Sequence, residues 1–157
     1  MPRDILITLL LISFGVFVDG CSKQPTDEEL LKSATLHHQS DEYDDALSDF
    51  QLLTEKYPKS DKVPEALYAM GVICQNDKKE YRKAESLYTK LVMDFPADPT
   101  AQVAAYQRAR IFFENLHMPD SAEAAYELFL TRYPDAVSAS SARMELDSLK
   151  VTMKSSK

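Results

Sequence analysis

Few side chains in this sequence are spaced for chemistry. His37 and His38 are adjacent, so on a helix they point about 100° apart, whereas paired helical metal ligands need i, i+3 or i+4 spacing. His117 stands alone in a turn, and no H-E-x-x-H, G-x-S-x-G or cysteine-pair motif occurs. The acidic pairs Asp41-Glu42 and Asp44-Asp45 suit helix N-terminal turns. None of them belongs to a D-x-D-x-D-G loop with a distal Glu, the pattern calcium requires. The glycines are Gly15, Gly20 and Gly71, too few and too scattered for a phosphate-cradling loop. The expectation is no enzyme, no metal, no cofactor and no small-molecule substrate. A net charge of −7 without a Lys/Arg block also argues against nucleic acid, whose binding needs several phosphates neutralised together.

Cys21 is different. Residues Ile5 to Val18 form an apolar run preceded by Arg3, too short for a comfortable membrane span and placed like the core of a secretory signal peptide. The following Val18-Asp19-Gly20-Cys21-Ser22 resembles the bacterial lipobox, with Asp19 departing from the usual Ala or Ser. The resemblance implies a signal peptide over 1–20 and a lipidated Cys21 followed by a short linker, 21–26. A diacylglycerol thioether and an acyl chain, such as palmitate, would sit on Cys21, and two or three chains anchor stably where one does not. Ser22 implies, by the same resemblance, an outer-membrane lipoprotein facing the periplasm. The remaining thiol, Cys74, falls in an apolar helical stripe with no basic neighbour in sequence, so it is expected to be buried and inert.

Beyond the linker the chain repeats itself. Ala46, Ala84 and Ala122 are spaced by 38 residues, as are Phe50, Tyr88 and Tyr126, and Pro58, Pro96 and Pro134. Alanine and leucine far outnumber valine and isoleucine, a helix-forming composition. Ala46, Phe50 and Leu53 fall on one helical face, and Tyr57-Pro58 ends that helix. Thr26 through Glu29 fits a capping box, and Asp98-Pro99 an N-cap before proline. Helices are predicted over 27–39, 42–57, 63–76, 80–95, 99–115, 119–133 and 136–150, an all-α domain over 27–150 with a frayed tail, 151–157. Ala139, Ala142, Leu146, Leu149 and Met153 give the last helix an apolar stripe, read as a cap over the array's end or as a partner-binding helix.

A small residue in the first helix (Gly71, Ala109, with Ala34 as their counterpart), then alanine, an aromatic and a terminal proline in the second, resembles the tetratricopeptide repeat. Leu53, Leu91 and Phe129 stand where that family often has a second alanine. This departure, with the 38-residue period, is similar to the periplasmic subgroup of YbgF-type Tol-system proteins and BamD-type outer-membrane assembly lipoproteins. The resemblance implies a right-handed α-solenoid of three helix pairs, about 27–58, 63–96 and 99–134, plus a capping helix, 136–150. It implies a non-catalytic scaffold for a peptide or protein partner in the cell envelope, with a self-assembling structural lipoprotein as the alternative. The family's concave-groove positions carry over to Leu31, Thr35 and His38, then Glu65, Tyr68, Val72 and Gln75, then Val103, Tyr106, Arg110 and Phe113. Leu31 and Thr35 stand where cytosolic members that clamp a C-terminal carboxylate carry Lys and Asn, so that mode is not expected.

Overall fold

A computed structural model of the protein describes residues 24–155; the signal segment, Cys21 and the last two residues lie outside that range. Seven α-helices follow one another: α1 (Asp27–Gln39), α2 (Tyr43–Lys56), α3 (Val63–Val72), α4 (Tyr81–Asp94), α5 (Pro99–Arg110), α6 (Pro119–Arg132) and α7 (Ala139–Ser155). They form three antiparallel pairs and an unpaired last helix. Each helix packs against its sequence neighbours. Between successive pairs, α3 and α5 also touch, whereas α2, α4 and α6 are not brought together comparably. The first helices are therefore on the inside of the curve, and the array is a tetratricopeptide-like all-α solenoid.

The sequence columns become contacts. Ala46, Ala84 and Ala122 are fully buried, as are Tyr88 and Tyr126, with Phe50 at 2% exposure. Small residues let the paired helices approach: a Cβ placed on Gly71 would lie 2.3 Å from Cε1 of Tyr88. Thr26 caps α1, its hydroxyl accepting from the Glu29 amide while Glu29 accepts from the Thr26 amide. Asp98 caps α5 ahead of Pro99. Cys74 is buried, and burial pushes its thiol pKa up, away from reactivity.

Two features depart from the expected helices. The predicted helix 63–76 is an α-helix only to Val72 and closes through a π-helical turn, Ile73–Asp77; α5 likewise closes through Ile111–Asn115. A π turn accommodates one extra residue, and α1 has none. This explains why Ala34 precedes Gly71 by 37 residues while Gly71 precedes Ala109 by 38. After the turn the register is restored, and Asp41, Lys79 and His117 all take positive φ at the same point of the hairpin. The second departure is α7, which starts at Ala139 rather than 136 and runs to Ser155, so the tail is helical through that residue. Residues 134–138 are spent on turns, with the Ala136 amide bonded to the Tyr133 carbonyl and the Ala139 amide to the Ala136 carbonyl. The extension persists because Met153 continues the stripe of Leu146 and Leu149 onto the core.

In the 38-residue register, Ala139, Ala142, Leu146 and Leu149 of α7 face the preceding pair and are buried. The positions that would receive a following helix carry Arg143, Asp147 and Lys150, where α3 has Leu67, Gly71 and Cys74. Its outer face is thus polar, as a terminal cap requires.

Candidate functional site: the concave face

The eleven groove positions do not form one uniform surface. On α1, Leu31 is half-buried against the core. Thr35 spends its hydroxyl proton on the Leu31 carbonyl at 2.8 Å. His38 turns to Asp77, Nε2 to Oδ2 at 3.6 Å, with its ring centroid 6.0 Å from that of Tyr43. Its neighbour His37 points to Asp49 and Glu42 instead, so the two rings diverge as their spacing dictates. Among the described residues no three His, Cys, Asp or Glu side chains are gathered to hold a metal ion.

On α3, Glu65 is exposed, Val72 is half-buried, and Tyr68 stacks toward Tyr88 with ring centroids 6.0 Å apart. Gln75 accepts the Tyr88 hydroxyl at 3.1 Å, so its carbonyl oxygen serves the fold. On α5, Val103 is 38% exposed. Tyr106 packs on Phe129, centroids 5.6 Å apart, and donates its hydroxyl to Glu145 at 2.8 Å. Arg110 is held by Glu114 through its own Nη2, at 2.8 and 2.9 Å to the two carboxylate oxygens, with the guanidinium 6.0 Å over the Tyr106 ring. Its charge is therefore neutralised within the helix. Phe113 lies apart, in a cavity of about 400 Å³ with Pro119, Leu149 and Met153.

Glu145 is a residue that the pattern did not single out. Its carboxylate accepts two tyrosine hydroxyls, Tyr106 on Oε1 and Tyr126 on Oε2, each at 2.8 Å. In the preceding pair Gln75 satisfies Tyr88, but its equivalent in the third pair is Phe113, which cannot accept a hydrogen bond. Helix α7 supplies the acceptor. Met144 and Val151, 74% and 68% exposed, were also missed. Extending the register by 38 would have found them, since Tyr68, Tyr106 and Met144 form one column, and Gln75, Phe113 and Val151 another.

A tetratricopeptide repeat family model matches residues 30–60 and 103–136, which contain most of the first and third helix pairs. These two segments are tetratricopeptide repeats. The middle pair continues the same 38-residue columns between them. A crystal structure of a tetratricopeptide repeat protein from Parabacteroides merdae ATCC 43184 is similar over 82% of this chain, with a TM-score of 0.67 and 18% sequence identity. The chain spans 47% of that structure's length. No curated protein matches the chain. In such repeats the concave face made by first helices is the extended binding surface. Here that face runs along α3, α5 and α7, with Val103, Tyr106 and Met144 as its apolar contacts.

The buried tyrosines also give the repeats a defined alkaline limit. Burial, then the bond to Glu145, pushes the Tyr106 hydroxyl up to about 12; burial raises Tyr88 and Tyr126 in the same direction. A tyrosine whose pKa is raised by folding contributes stability that is complete below its unfolded value of 10.0 and is lost as pH climbs through the folded value. Circular dichroism with absorbance at the tyrosinate band should therefore show helix loss between pH 10 and about 12, together with ionisation. Ionisation of these tyrosines at pH 10 with helicity intact would contradict it.

Proposed function

We propose that the chain is a non-catalytic scaffold, anchored by lipid on Cys21 in the outer membrane and facing the periplasm, whose concave face holds a peptide or protein segment of an envelope complex of the outer-membrane assembly or Tol-like class. The observation that carries the binding role is the apolar strip Val103, Tyr106 and Met144 on the inner face, where two side chains are exposed without structural need. Arg110 is bonded to Glu114, and Glu145 to two tyrosines. The ligand on this strip is accordingly recognised by shape and apolar contact rather than by a free cation. Self-assembly by end-to-end stacking is the poorer alternative. Glu29 and Ser33 occupy one end's stacking positions, and Arg143, Asp147 and Lys150 the other's.

The test is made in cells carrying wild type and Cys21→Ala, labelled with palmitate, with a photoreactive residue at Val103 or Met144. The expected outcome is lipid label that disappears with Cys21→Ala, and one discrete crosslinked protein from both inner positions. A crosslinker at Leu128, exposed on α6, should capture no such product. Absence of lipid on the wild type would remove the anchoring, and equal crosslinking from Leu128 would remove the groove.

A further inference from the structure

The chain enters the fold at one particular edge. Gln24 meets Lys56, and the Tyr57 hydroxyl donates to the Pro25 carbonyl at 2.7 Å, so the N-terminal segment is fastened beside the loop that ends the first pair. Because paired helices are antiparallel, every loop that leads from one pair to the next lies on this same edge. The Tyr133 hydroxyl ties two of them together by donating to Pro96 at 3.1 Å. The hairpin turns at Asp41, Lys79 and His117 lie on the opposite edge, one helix length or roughly 20 Å away. Cys21 precedes Gln24 by three residues, a reach of at most roughly 10 Å. The loop edge can therefore touch a membrane that holds Cys21, whereas the turn edge is held away from it.

We propose that the loop edge lies on the lipid headgroups, with Val137 as its apolar contact and Lys59 as its phosphate contact. The inference rests on the anchored scaffold proposed above. Val137 is 100% exposed at the tip of the 134–138 loop, a position at which nothing in the fold uses its side chain. Lys59 is exposed at the tip of the first loop and makes no ion pair among the described residues. The loops also carry Pro58, Pro96, Ala97, Pro134 and Ala136, together with the acids Asp61, Asp98 and Asp135; Asp61 is paired with Lys62 at 3.2 Å and Asp98 is spent capping α5. The turn edge is acidic as well: it carries Asp41, Glu42, Asp44, Asp45, Asp77, Glu80 and Asp120 against Lys78, Lys79, Arg82 and Lys83, and Lys78 is already held by Asp44 at 2.7 Å. Charge does not separate the two edges, so the short tether and the fully exposed Val137 decide which of them meets the leaflet. Helix axes then run along the membrane normal. The concave face opens sideways, toward a partner standing beside the protein in the same leaflet.

The test uses full-length lipidated protein, moved from detergent into vesicles of phosphatidylethanolamine and phosphatidylglycerol, with a nitroxide on Val137→Cys, Lys59→Cys or His117→Cys. All three are exposed positions, and Cys74 is buried. On transfer to vesicles, the ratio of oxygen to nickel-chelate accessibility should rise at 137, nickel collisions should fall at 59, and both readouts should stay unchanged at 117. Equal behaviour at 137 and 117, in a sample whose mass shows lipid on Cys21, overturns the docking edge and leaves the scaffold standing. A mass without lipid overturns both.

Discussion

Replacing Tyr126 by alanine should cost about 3 to 5 kcal/mol, the range for deleting a buried aromatic ring, and lower the melting temperature by roughly 10 to 20 °C. The ring has no exposed surface, and its hydroxyl is one of two that hold Glu145 of α7. The substitution opens a cavity beneath α6 and also loosens the cap. Tyr126→Phe separates the two effects: it keeps the ring, loses one hydrogen bond to a carboxylate, and should cost about 1.5 to 3 kcal/mol. Repeat arrays are coupled mainly between neighbours. Hydrogen exchange in Tyr126→Ala should therefore accelerate in α5, α6 and α7 while α1 and α2 keep most of their protection. Uniform acceleration along the chain would mean that the array unfolds as one unit, and an unchanged melting temperature would mean that the ring is not the keystone of the third pair.

Gly71→Ala should destabilise the protein, although alanine is the better helix former by about 1 kcal/mol. The added methyl meets the Tyr88 ring at 2.3, 2.8 and 2.9 Å, and that ring is itself fully buried. Overpacking of this kind costs about 1 to 3 kcal/mol, which exceeds or cancels the propensity gain. The third pair shows that the clash is local, since Ala109 stands at the equivalent position and both it and Tyr126 are buried. A double-mutant cycle with Tyr88→Leu isolates the contact: with the ring gone, alanine at 71 should cost nothing or stabilise. Denaturant midpoints at constant slope report both numbers. A single Gly71→Ala variant more stable than wild type would show that α3 and α4 can separate freely.

Much of this architecture is legible because each repeat column answers one physical demand. A small residue is needed where helices cross, an aromatic to fill the space beside it, and a proline to end the helix. Those demands recur every 38 residues in Ala46, Phe50 and Pro58 and their successors, so the helix pairs and the inner face can be read from them. The π turns cannot, because one inserted residue has no compositional mark. Its trace is the step from 37 to 38 between Ala34, Gly71 and Ala109. The start of α7 is illegible for a related reason: proline marks where α6 ends, not how many turns come after it. Of the groove positions, Glu65 and Val103 are exposed and Tyr106 is partly so, where a ligand could use them. Thr35, Gln75 and Arg110 are engaged with the fold's own atoms, because hydrogen-bond partners one helix turn or one helix away are invisible to a column of residue types. Met144 and Val151 escape notice when the last helix is treated as a lid rather than as the next inner helix.

The polar outer face of α7 has a consequence for how long such a molecule can become. Duplicating one 38-residue unit and joining it after α7 would place a new aromatic over Asp147, where Gly71 received Tyr88, and would press Arg143 and Lys150 against apolar atoms. Burial of charge in such surroundings is costly enough to unseat the added hairpin. Growth at that end therefore requires three coordinated replacements, and growth by inserting a unit between existing pairs requires none. Lineages that lengthen this array are expected to gain units between existing pairs, so the number of hairpins can drift while the polar-faced α7 stays the last helix of the array.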